Sequence, residues 1–182
     1  MPNEADYWQL KWEFARERRR LFKRKLLVCG CFAMTSALLI TVCFFHVVLG
    51  IAMIKESSMV PRFNEGDMVI YRRLHIPYDR GELVVFHQEQ LGYDCIKRIV
   101  AVGGDTVDIP GDGQVYLNGE PLSEPYLYMS STLPRDGIEY PLSVPEGFLF
   151  VMGDNREVSL DSRSQEIGLI RENEVLGYLP SD

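Results

Sequence analysis

The chain has 182 residues, 46% hydrophobic and 25% charged, with a formal net charge of −7. That length suits one domain with a modest appendage, and the composition excludes collagen, a coiled coil and wholesale disorder. The charge is uneven: residues 1–25 carry 8 Lys or Arg against 4 Asp or Glu, whereas residues 26–182 carry 11 against 22. An acidic body argues against nucleic acid as a partner, and a basic head on it suits a chain that lies on both sides of a membrane.

Residues 1–25 form the basic head, with Arg16, Arg18, Arg19, Arg20, Lys23, Arg24 and Lys25 clustered at its end. From Leu26 to Ile54 no Asp, Glu, Lys or Arg occurs. As a helix this run reaches about 44 Å, more than the roughly 30 Å of a bilayer core. It is too long for the apolar part of a cleaved secretory signal, so it is expected to be a single transmembrane helix over 26–54. Positive flanks stay inside, which makes 1–25 a cytoplasmic head and 55–182 an extracytoplasmic domain of a plasma-membrane protein. Cys29, Cys31 and Cys43 fall in the span, leaving Cys95 alone beyond it, so no disulfide is expected within the exported domain.

Beyond Lys55 the chain breaks into short runs rich in Val, Ile, Tyr and Phe: 68–71, 82–87, 96–102, 106–109, 114–117 and 147–151. Turn sequences separate them, among them Glu65-Gly66-Asp67, Gly103-Gly104-Asp105 and Gly111-Asp112-Gly113. The pattern predicts a mainly β domain with antiparallel pairing. Asn118-Gly119 marks a tight hairpin.

The chemistry has few places to sit. His75 and His87 are the histidines of the body and neither has a triad context; no glycine-rich phosphate loop precedes a helix. No zinc-ligand spacing occurs, and no metal or organic cofactor is implied. Lysine usage says more, since only Lys55 and Lys97 lie beyond the span. Lys97 falls inside an apolar strand with Cys95 and Ile99 on its face. A buried strand face strips hydration from an ammonium and favours the neutral amine, the form a general base needs. The competing reading is an edge-strand lysine whose amine reaches water. Ser57-Ser58-Met59-Val60-Pro61 puts serines just past the span, where one is suited to act as a nucleophile, although serine before a turn is commonplace. From Gly153 to Arg163 the chain is dense in hydrogen-bonding groups, with Asp and Arg spaced for internal ion pairs.

Four motifs in this order resemble the type I signal peptidases: S-M-x-P at 58–61, G-D-x-V at 66–69, K-R at 97–98 and G-D-N-R-x-x-S-x-D-S-R at 153–163. With the head and the span, the resemblance covers nearly the whole chain, and the short body is similar to the compact Gram-positive members. It implies a monomeric, membrane-anchored Ser-Lys protease that removes signal peptides from preproteins, built on an antiparallel, coiled β-sheet. In that reading Ser58 is the nucleophile, with its backbone N–H as an oxyanion donor, and Lys97 is the general base. Ser159 orients the Lys97 amine. Asp161 and Arg163 form a supporting ion pair with Arg98 or Arg156 nearby, and Asp154 belongs to the same frame. Substrate adds as a strand, with small residues one and three before the cut in pockets lined by Ile54, Met59, Phe63 and Ile96.

Two positions depart from the family pattern. Glu56 stands two before the nucleophile, where many relatives have Ser or Gly, and Arg62 follows the proline, where the family usually has Thr. A carboxylate there repels an oxyanion and favours a charged lysine. An Arg62–Glu56 pair is the expected compensation. The alternative function is a non-catalytic assembly factor or chaperone for surface proteins or pili, a class that keeps the fold and loses the catalytic residues.

Overall fold

The computed structural model describes residues 4–74, 77–89, 91–128, 131–135 and 137–179, without the side chains of residues 4–10. His75 lies outside the described residues. The chain divides into two compact units, residues 1–46 and 47–182.

The first unit is a helix, α1, running from Glu4 to Val48. Its stretch Lys11–Val48 is long and apolar enough to cross a membrane. Residues 4–25 of the basic head are thus helical and continuous with the span, as befits a segment rich in Arg, Lys and Glu. The expected helix over 26–54 needs correcting at its far end, because residues 49–53 form a strand. An apolar run serves a lipid-facing helix and a buried strand alike, so hydropathy does not mark where one ends. Pairing with a second strand decides it.

The second unit is antiparallel β throughout its named pairings. A seven-stranded sheet contains β1 (Leu49–Met53), β2 (Met68–Arg72), β3 (Leu83–Gln88), β4 (Tyr93–Val102), β9 (Phe148–Met152), β10 (Ile170–Arg171) and β11 (Val175–Leu179). Its order is β1-β2-β11-β3-β4-β9-β10. A smaller sheet has the order β7-β6-β5-β8, from β5 (Thr106–Asp108), β6 (Tyr116–Leu117), β7 (Glu120–Pro121) and β8 (Leu142–Ser143). Each of the six strand-like runs in the sequence meets a strand here. The expected tight turn joins β6 to β7, with Asn118 at φ 54° and Gly119 at φ 86°, the left-handed pair that a two-residue hairpin requires.

Three apolar clusters hold the unit. Val84, Phe86, Cys95, Ile99, Leu149 and Val151 make one, and Val100, Val107, Val115, Phe150 and Met152 join the two sheets in another. Ala52, Ile54, Met59, Val69, Tyr71, Leu83, Val85 and Ile96 form the third, beneath the candidate site. On the outer side of the β1–β2 pair, Ile51 opposes Ile70 and Met53 opposes Met68, and all four are exposed.

Candidate active site

Three segments far apart in sequence meet in this unit. The first follows β1, where a turn beginning at Ile54 carries Glu56, Ser57, Ser58 and Met59. Ile54 N–H donates to Asp67 O and Gly66 N–H donates to Ile54 O, both at 2.9 Å, which closes the turn on the G-D-x-V motif. Met59, 1% exposed, anchors it in the third cluster. The second segment is β4. It is held to β3 from Tyr93 to Arg98, with Lys97 opposite Val84. On its other side β9 pairs with it only from Arg98 onward, so the Tyr93–Lys97 stretch has no strand partner there among the described residues.

Lys97 Nζ lies 2.6 Å from Ser58 Oγ. Lys97 is 1% exposed and Ser58 4%. That burial decides against the water-seeking edge lysine. The same amine is 3.5 Å from Glu56 Oε2, and Tyr93 Oη donates to Glu56 Oε1. Lys55 Nζ sits 5.2 Å from the centre of the Tyr93 ring. Glu56 is therefore taken by Lys97 and Tyr93, while the Arg62 guanidinium lies over the Phe63 ring. The expected Arg62–Glu56 pair gives way to a closer amine and a hydroxyl.

The third segment, 153–163, is a buried polar frame. Arg98 grips Asp154 with two hydrogen bonds of 2.8 and 2.6 Å, donates to Gly81 O at 2.7 Å and stacks on Tyr126 at 4.0 Å. Arg163 binds Asp161 at 2.8 and 2.9 Å and donates to Arg156 O at 2.8 Å. Arg98 therefore serves Asp154, not the Asp161 pair; Arg156 meets that pair through its carbonyl. Its guanidinium binds Glu124 and Thr132. Burial pushes the Asp161 carboxyl up, and the Arg163 guanidinium, with the Ser159 hydroxyl and the Gly153 N–H, more than reverses this, leaving it below the usual carboxylate value.

The frame reaches the nucleophile through backbone. Asn155 N–H donates to Ser58 O at 2.9 Å and its side-chain amide donates to Ser57 O at 3.2 Å. Ser159 is fully buried with its hydroxyl given to the Asp161 carboxylate, and the expected bond to the Lys97 amine is not formed. That amine faces Ser58 and Glu56.

Ile54, Met59 and Ile96 line a small cavity with Glu56, Ser58 and Tyr93. Phe63 packs on the same apolar cluster without lining the cavity. Sequence reading missed Tyr93, Asn155, Glu124 and Tyr126. Asn155 stood inside a quoted motif; the other three carry no local signal, because their partners are 28–37 residues away. No group of His, Cys, Asp and Glu suited to a metal occurs among the described residues.

The profile of the family described as "Signal peptidase, peptidase S26" matches residues 26–180. A signal peptidase I of Bacillus licheniformis is 34% identical over 154 residues, covering 80% of each chain. Signal peptidase I S of Bacillus subtilis is 30% identical over 166 residues, covering 85% of this chain and 88% of that one. A crystal structure of a signal peptidase I from Enterococcus faecalis is 32% identical and covers 57% of this chain and 97% of its own, with a TM-score of 0.49. With most of its length matched by the profile and by relatives at 30% identity or more, the chain belongs to the signal peptidase family, peptidase S26.

Proposed function

We propose that the protein is a membrane-anchored serine endopeptidase that cuts signal peptides from exported preproteins after small-x-small sites. The observation that carries this reading is the 2.6 Å approach of Lys97 Nζ to Ser58 Oγ in a buried setting. A neutral Lys97 takes the proton from Ser58 Oγ as Oγ attacks the scissile carbonyl carbon. The Ser58 N–H stabilises the oxyanion. Lys97 then returns the proton to the leaving amine, and the acyl ester on Ser58 is cleaved by a water that Lys97 deprotonates. The unpartnered side of Tyr93–Lys97 on β4 offers an edge for an extended substrate. Its small side chains reach toward Ile54, Met59 and Ile96.

In this reading α1 spans the plasma membrane with the basic head inside and the β unit outside. Ile51, Met53, Met68 and Ile70 make an exposed apolar patch on the β1–β2 pair, a surface suited to contact with lipid. The Ser58–Lys97 contact speaks against a non-catalytic assembly factor, which has no use for it.

The test is cleavage of a signal-peptide-bearing preprotein by the full-length protein in detergent. The wild type is expected to cut after a small-x-small site, and Ser58→Ala and Lys97→Ala to lose at least about 10³-fold. A wild type no faster than its variants would move the assembly-factor reading to the front.

A further inference from the structure

Glu56, one of the two positions that depart from the family pattern, faces the candidate dyad. Its carboxylate is shared between two groups of the site, with Oε1 accepting from the Tyr93 hydroxyl and Oε2 standing 3.5 Å from Lys97 Nζ. Ser159, the residue expected to orient that amine, has its hydroxyl engaged by Asp161 and makes no bond to Lys97. We infer that Glu56, held by Tyr93, is a positioning residue for the Lys97 base, so that a Tyr93–Glu56–Lys97–Ser58 chain replaces orientation by Ser159. This rests on the Ser-Lys reading above and deepens it.

The geometry fixes the roles. With Oε1 accepting from Tyr93, Oε2 is the oxygen that meets Lys97 Nζ. Burial, and then the bond to Glu56, push the Tyr93 hydroxyl well above its usual value, so it stays a donor throughout the working pH range. A carboxylate this close favours the ammonium over the amine. Glu56 therefore holds the lysine against Ser58 and also opposes its conversion to a base.

Other titratable groups around the amine are few. Lys55 lies over Tyr93, and Asp94 and Cys95 come from β4. His87 of β3 is bonded to Asp94 at 2.8 Å. Asp154 and Asp161 of the frame are taken by Arg98 and Arg163. Among the described residues, Glu56 is thus the carboxylate bonded to Lys97.

The experiment follows the rate at which a serine-directed acylating inhibitor labels Ser58, read by mass, from pH 6 to 11 in full-length protein. Glu56→Gln keeps the shape and the Tyr93 bond and removes the charge. Its ascending limb is expected about one pH unit lower than the wild type's. Tyr93→Phe is expected to slow labelling about tenfold through a misplaced amine. The double variant is expected to be no slower than the slower single one, because Tyr93 acts through Glu56. Glu56→Ser is expected to repeat the limb shift, and decides the matter if Glu56→Gln does not fold. Superimposed wild-type and Glu56 profiles overturn the assignment, as do effects of Tyr93 and Glu56 that simply multiply. Absence of label at Ser58 in every chain, wild type included, instead removes the Ser-Lys reading itself.

Discussion

Gly153 leaves no room for a methyl group. A Cβ there stands 2.5 Å from Ser58 O and 2.3 Å from Ser159 Oγ, and the first of these is backbone that cannot step aside. Gly153→Ala is therefore expected to push the nucleophile off the amine and to cost about 10²-fold in preprotein cleavage, with the protein still folded. Wild-type cleavage by that variant would show that Ser58 tolerates displacement. Asp161 makes a stability prediction with a definite sign. Its carboxyl sits below the usual value in the folded state, because burial, which raises it, is outweighed by Arg163 together with the Ser159 hydroxyl and the Gly153 N–H. Its contribution is complete above the unfolded-state pKa of about 3.9 and is lost as pH falls through the lower folded value. Asp161→Asn strands the buried Arg163 charge and is expected to cost about 3–5 kcal/mol near neutral pH. Urea unfolding followed by near-ultraviolet dichroism should show that loss at pH 7 and a narrowing gap between the chains toward pH 3. Cys95 provides a third check, since burial pushes its thiol up to about 11. In a chain with Cys29, Cys31 and Cys43 replaced by Ala, iodoacetamide at pH 8 is expected to modify it only after unfolding.

At the scale of elements, the β1–β2 pair is where sequence reading went furthest astray. Leu49–Met53 reads as the tail of a transmembrane helix because its residues are apolar, yet its neighbours across the sheet are Met68–Arg72. Gly50 makes the strand possible: the Tyr71 ring lies 2.2 Å from where its Cβ would be. A contact across some twenty residues leaves no mark in local hydropathy. The strands from 68 to 117 were legible, since each carries its own alternation and turn residues. β10 and β11 were not, because 170–171 is too short for a pattern and 175–179 has a glycine at Gly177 that makes way for Tyr71. The exposed Ile51–Ile70 and Met53–Met68 pairs carry the lipid prediction. The indole of Ile70→Trp, in a chain with Trp8 and Trp12 replaced by Phe, is expected to be quenched by brominated acyl chains in proteoliposomes. Emission that ignores those lipids places β2 in water.

For the whole molecule, the seven-stranded sheet brings together segments that the chain keeps apart. Ser58 comes from beyond its edge strand β1, Lys97 from interior strand β4, and the polar frame follows β9, which pairs with β4 from Arg98 onward. The motifs named the participants, and the Ser58–Lys97, Arg98–Asp154 and Asp161–Arg163 contacts join residues they contained. Beyond the Asp161–Arg163 pair, what they could not convey was which carboxylate meets which cation. Glu56 finding Lys97 and not Arg62, and Arg98 finding Asp154, depend on register and on side-chain reach. The coupling of Ser58 to Lys97 is the central claim, and it is tested most directly by stoichiometric labelling of Ser58 in the wild type beside Lys97→Ala. If Lys97 is the base, an acylating inhibitor labels Ser58 in the wild type and slows at least about 10²-fold in Lys97→Ala at neutral pH. Equal labelling in the two chains would show that Ser58 reacts without Lys97 and would contradict the Ser-Lys mechanism.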